Sequence, residues 1–113
     1  MRPIEISAQY DTLKVAVKGR FDMSLCFDLW YKCQLEDGRF RSYLFDLGEV
    51  SDLRDSGLAW LMMFSRRAEK TGARTCIINC GPEVAGRCLA AGLNTDPTIP
   101  RLSIAAEAAA AVH

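Results

Sequence analysis

The chain has 113 residues, enough for one domain with a real core and too few for two. Half are hydrophobic and a quarter charged, with 14 basic residues against 14 acidic, which is an ordinary globular composition without the basic bias of a nucleic-acid-binding surface. No apolar run reaches the roughly 18 residues of a membrane span, and Met1-Arg2-Pro3-Ile4-Glu5 lacks an apolar signal core, so the expectation is a cytoplasmic protein without membrane insertion.

In chain order, Ile4 to Ala8 and Leu13 to Val17 alternate as half-buried strands do, and the short Gln9–Thr12 segment between them predicts an antiparallel hairpin that ends at Gly19. Asp22 or Ser24 then caps a helix over Leu25 to Leu35, whose Leu25, Leu29 and Cys33 recur on one face with Trp30 beside them; Asp37-Gly38 stops it. A buried strand is predicted at Tyr43–Leu47, followed by an acidic loop (Asp46, Glu49, Asp52) and a helix from about Ser56 to Lys70, closed by Gly72. Thr75 to Asn79 reads as a second central strand. Pro82 opens a further helix at the position where its missing N–H costs nothing, and that helix runs to Gly92. Asn94 to Pro100 reads as a loop, Leu102–Ile104 as a short last strand, and Ala105–Val112 as an Ala-rich helix. Strands alternating with helices after residue 39 require parallel pairing. The expected fold is therefore α/β: a single domain over residues 1–113, with a mixed sheet (N-terminal antiparallel hairpin, then parallel strands) and about four helices.

Five cysteines, an odd number in a chain without an export signal, argue against disulfides. With no CxxC pair and a single histidine at position 113, no metal site or cofactor is expected, and Cys76 and Cys80 read as small buried hydrophobes.

Function concentrates on the stretch Tyr43 to Leu61, a strand that feeds a polar loop and then a helix start, where first-turn N–H groups lack intrahelical partners. Asp55 is a good N-cap. Ser56 then lies in the first turn, where the helix dipole favours an anion by roughly 0.3–1 kcal/mol if exposed. By local chemistry alone, Asp55-Ser56-Gly57 reads as an ordinary helix start sooner than as a functional site.

The segment Val50-Ser51-Asp52-Leu53-Arg54-Asp55-Ser56-Gly57-Leu58-Ala59 resembles the signature loop of STAS domains, the anti-sigma factor antagonist family, whose usual form is Asp-Ser-Ser-Gly-Leu or Asp-Ser-Thr-Gly-Leu. Three further pieces resemble the family in the same order: Val17-Lys18-Gly19-Arg20-Phe21-Asp22, Lys70-Thr71-Gly72-Ala73 and Leu89-Ala90-Ala91-Gly92-Leu93. Aligned on Gly57-Leu58, Ser56 matches the family's phosphorylated residue, Asp55 replaces its first Ser, and Arg54 replaces the Asp before that. The resemblance implies a STAS-like domain and a phosphorylation-controlled binding module. Its expected partners are a GHKL-type serine-kinase anti-sigma factor and a PP2C-type phosphatase. The alternative is a STAS scaffold, or an accessory subunit of a transport, lipid-trafficking or signalling assembly, in which Ser56 is never modified.

The expected partner-binding residues are Arg54, Asp55, Ser56, Gly57, Trp60, Met63 and Phe64. The last three are added on helical geometry. At about 100° per residue, Leu58, Leu61, Met62 and Ser65 share one face, while Trp60, Met63, Phe64 and Arg67 share the opposite one. A surface helix needs a single apolar stripe, so the second either packs on neighbouring helices in the same layer or forms a partner surface. No catalytic residue is expected, because a nucleophilic Ser56 has no histidine near it in the sequence to serve as base.

Overall fold

The computed structural model describes residues 3–33 and 38–96. Its elements in order are β1 (Ile4–Gln9), β2 (Thr12–Phe21), a 3₁₀ turn (Met23–Leu25), α1 (Cys26–Cys33), β3 (Ser42–Leu53), α2 (Asp55–Lys70), β4 (Arg74–Ile78), α3 (Pro82–Ala90) and β5 (Thr95–Asp96). The strands form one mixed sheet in the order β1-β2-β3-β4-β5. The β1–β2 pair is antiparallel and the remaining pairs are parallel. This is the expected α/β arrangement, with three α-helices among the described residues. The predicted strand at 102–104 and helix at 105–112 lie outside them, and part of the predicted 94–100 loop pairs instead, Thr95 and Asp96 lying beside Ile77 and Ile78.

Two strands run further than local patterning suggested. Gly19 does not end β2, and the acidic stretch after Leu47 is strand rather than loop: the β2–β3 ladder continues through Lys18↔Glu49 and Arg20↔Asp52 to Phe21↔Leu53, with register shifts after Ala16 and after Gly19. The reason is cross-strand charge. Lys18 Nζ lies 3.6 Å from Glu49 and 2.9 Å from Glu5, and Arg20 Nε lies 4.0 Å from Asp52. Acidic residues that look loop-like in one segment meet cations on the neighbouring strand, as opposite charges across a ladder do.

Apolar side chains at alternate positions of the central strands (Val15, Val17, Tyr43, Phe45, Leu47, Ile77) form the sheet side of the core. Across from them, α2 buries Gly57, Trp60, Leu61, Phe64 and Ala68, the i, i+3, i+4, i+7 stripe of a helix on a sheet. Trp60 and Phe64 are therefore core residues and not a partner face: they are 2% and 0% exposed. They stack on each other with centroids 5.0 Å apart, and Phe45 meets both edge-on at 5.7 and 5.3 Å. Trp30 of α1 closes the cluster from the side, 5.3 Å from Trp60. The two expected faces of α2 were divided in the wrong place. The true buried stripe runs between Trp60 and Leu61 and takes from both.

α2 ends as predicted. Gly72 adopts φ 83°, the Gly72 N–H donates to Glu69 O, and the Ala73 N–H donates to Ala68 O, the paired bonds of a Schellman motif. Cys80 is buried as expected, while Cys76 is only half-buried. Burial pushes the Cys33 and Cys88 thiols up to about 12 and about 11, which leaves them as inert apolar groups.

Candidate partner-binding site at the β3–α2 turn

The extra length of β2 and β3 fixes where the turn sits. Leu53 ends β3 in the core, and Arg54, in extended conformation, donates its N–H to Phe21 O at 3.0 Å. Helical bonding begins with Leu58 N–H to Arg54 O at 3.0 Å. Arg54, not Asp55, is thus the N-cap position, and it provides no side-chain cap; Asp55 is the first residue inside the helix. Gly57 follows from the same crossing: a Cβ there would lie 2.4 Å from Phe21 O, so only glycine lets α2 start this close to the end of β2.

Ser56 joins the two strand ends. Its Oγ accepts from the Met23 N–H at 3.0 Å and the residue is half-buried. The Met23 N–H opens the 3₁₀ turn after β2, whose cap is Asp22, accepting from the Ser24 N–H at 2.9 Å. Hydrogen bonds from the Ser24 hydroxyl and N–H hold the Asp22 carboxyl below its ordinary range, helped by Arg20 and Arg54.

Charge arrives from α3. Arg87 donates from Nη2 to Asp55 Oδ1 at 2.8 Å and from Nη1 to the Leu53 carbonyl, so one guanidinium clasps the end of β3 and the start of α2. Arg54 reaches Asp52 at 3.5 Å instead. Asp52, Leu53, Arg54, Asp55, Ser56 and Arg87 line an open depression of about 600 Å³. Two carboxylates and two guanidiniums in that lining leave it electrically balanced.

No family model and no curated protein matches the sequence. Solved structures do. The anti-sigma factor antagonist SpoIIAA in its unphosphorylated form superposes with a TM-score of 0.75 at 16% identity, covering 96% of each chain. SpoIIAA of Bacillus, a cell fate determinant, in its phosphorylated form gives 0.76 at 16% identity over 97% of this chain and 99% of that one. A serine-to-glutamate variant of RsbS from Moorella thermoacetica gives 0.71 at 17% identity over 97% and 99%. The fold is that of a STAS-domain anti-sigma factor antagonist.

On this STAS fold the expected residues separate. Arg54, Asp55 and Ser56 come together at the depression, with the Asp55 side chain fully exposed. Gly57 supports them from beneath. Trp60 and Phe64 point into the core, and Met63 alone of the added three is exposed, at 45%. Sequence reasoning missed Arg87, which lies 32 residues from its carboxylate partner; the sole hint was that Asp55, standing where the family has a neutral Ser, calls for a cation. It also missed a row of exposed apolar side chains that begins at Met23, whose N–H bonds Ser56. Met23, Phe27 and Tyr31 are 67, 85 and 82% exposed at a spacing of four, so they follow one another along the 3₁₀ turn and α1. No helix among the described residues is long and apolar enough to cross a membrane.

Proposed function

We propose that this STAS-type domain is a partner-switching module of transcription regulation in the cytoplasm, acting as an anti-sigma factor antagonist. Unmodified, it captures a GHKL-type serine-kinase anti-sigma factor and frees the sigma factor. The kinase then transfers the γ-phosphoryl group of ATP to Ser56: an Oγ–P bond forms, the bond from the β-phosphate's bridging oxygen to Pγ breaks, ADP leaves and the hydroxyl proton passes to a base on the kinase. A PP2C-type phosphatase hydrolyses the phosphoserine. The observation that carries this reading is the position of Ser56. It lies half-exposed in the first turn of α2, on the rim of an open depression, in a fold shared with an antagonist solved in both unphosphorylated and phosphorylated forms. New charge there acts on a docked partner by repulsion and desolvation without any need to reshape the fold. Met23, Phe27 and Tyr31, reaching the site through the Met23–Ser56 bond, supply apolar contact area beside it.

The test is affinity capture from the native cell extract with wild type, Ser56→Ala and Ser56→Asp, followed by incubation of the captured complex with ATP and mass spectrometry. Wild type and Ser56→Ala retain a GHKL-type kinase, Ser56→Asp loses it, and phosphate appears on Ser56 of the wild type. Phosphate found only on another residue would sink the reading.

A second reading rests on two observations: the Ser56 hydroxyl already serves as acceptor for a backbone N–H, and Asp55 already places a carboxylate at the turn. In it, the domain is a constitutive scaffold or accessory subunit and Ser56 is a structural pin. Capture of one partner with equal affinity by wild type and Ser56→Asp selects this alternative.

A further inference from the structure

The lining of the depression pairs its charges unequally. Arg54 sits 3.5 Å from Asp52, which also has Arg20 at 4.0 Å, so that side holds two cations around one carboxylate. Arg87 has Asp55 alone as its carboxylate partner in the lining, and the Asp55 side chain is fully exposed. An ion pair with one member in solvent is weakly held. A phosphate beside it brings ≈ −1.5 to −2 charge and three acceptor oxygens against the single charge of a carboxylate, and a planar guanidinium binds phosphate through two parallel hydrogen bonds.

We propose that Arg87 is the residue through which the site registers modification of Ser56: the guanidinium is shared between Asp55 and the Leu53 carbonyl in the unmodified protein and passes to the phosphate in the modified one. The proposal rests on the reading of Ser56 as phosphoacceptor and adds its regulation. The exchange has two consequences. Asp55 becomes an unpaired carboxylate next to the phosphorylated residue, so the turn changes from balanced to strongly anionic. The end of β3 loses its side-chain donor, and α3 is fastened to the start of α2 through the phosphate on Ser56 instead of through Asp55. Arg87 is a positioning residue here, and the departure at Asp55 acquires a role: it holds the guanidinium in place until phosphate arrives.

The experiment uses the full chain with phosphate installed biosynthetically on Ser56, and follows the ³¹P resonance against pH. The charged groups around it are Asp52 at the end of β3, Arg54 at the N-cap, Asp55 in α2 and Arg87 on α3, with Arg20 and Asp22 at the end of β2. A guanidinium bound to the dianion lowers the second phosphate pKa. Arg87→Gln is therefore expected to raise it by about half a pH unit or more, a roughly threefold change in proton affinity. Arg54→Gln should raise it by clearly less, and Asp55→Asn should lower it by removing the competitor and the adjacent negative charge. Arg87→Lys, which keeps the charge but not the fork, should fall between wild type and Arg87→Gln, and it carries the test if Arg87→Gln loses its circular-dichroism spectrum. A shift with Arg54→Gln that equals or exceeds that of the Arg87 variants, or no shift with either Arg87 variant, overturns the proposal. Because the phosphate is installed and not enzymatic, a kinase that ignores Ser56 would defeat the proposed function and leave this measurement standing. A flat titration would do the reverse.

Discussion

At the scale of single residues, the turn is built from groups that each have one backbone task. Gly57 is required by the approach of Phe21 O. Alanine would gain helix propensity, but its Cβ must displace a backbone carbonyl. The net expectation for Gly57→Ala is a loss of about 1–3 kcal/mol in urea unfolding, as for other overpacked sites. Asp22 gives a pH signature. Its folded pKa is depressed by the Ser24 hydrogen bonds, so its stabilising contribution is present above the ordinary value near 3.8 and is lost as pH falls through the lower folded value. Asp22→Asn should accordingly melt below wild type at neutral pH, with the difference shrinking as pH falls from there through the lower folded value. A constant difference across that range would show that the cap acts through shape and not charge.

At the scale of elements, α2 is the helix on which the sequence argument and the packing part company. Its N-terminal turn was placed to within one residue, because Asp-Ser-Gly carries the local chemistry of a helix start. Its faces were misassigned because Trp60, Leu61, Met62, Met63 and Phe64 are all large and apolar, and no polar residue in that run marks an edge of the stripe. The sheet and Trp30 make the choice. Trp60→Ala is thus expected to cost about 3–5 kcal/mol in stability, whereas Met63→Ala should leave the melting temperature nearly unchanged. The buried Trp60 Nε1–H has no acceptor among the described residues, so Trp60→Phe removes an unsatisfied donor along with volume and should cost less than half as much as Trp60→Ala. A Trp60→Ala protein that melts like wild type would return this face to the surface.

At the scale of the whole molecule, one core runs from the β1–β2 hairpin to β5, with Ile4, Phe45, Trp60, Cys88 and Leu93 in a single cluster. Unfolding in urea should therefore be one cooperative transition, with tryptophan fluorescence and far-ultraviolet circular dichroism coinciding; separated midpoints would divide the chain. The sequence by itself determined what short-range chemistry encodes. Strand alternation produced the hairpin, the order of strands and helices produced the mixed sheet, Gly72 and Pro82 bounded their helices, and the run through Asp55-Ser56-Gly57 marked the start of α2. Tertiary structure alone decided the relations between segments far apart in the chain. Glu49 and Asp52 belong to a strand because Lys18 and Arg20 lie across from them. Trp60 is core because Phe45 and Trp30 enclose it. Asp55 is held by Arg87, which is 32 residues distant, and not by its neighbour Arg54. Charge pairing and burial depend on separation in space, and a single segment read along its length contains no term for its partner.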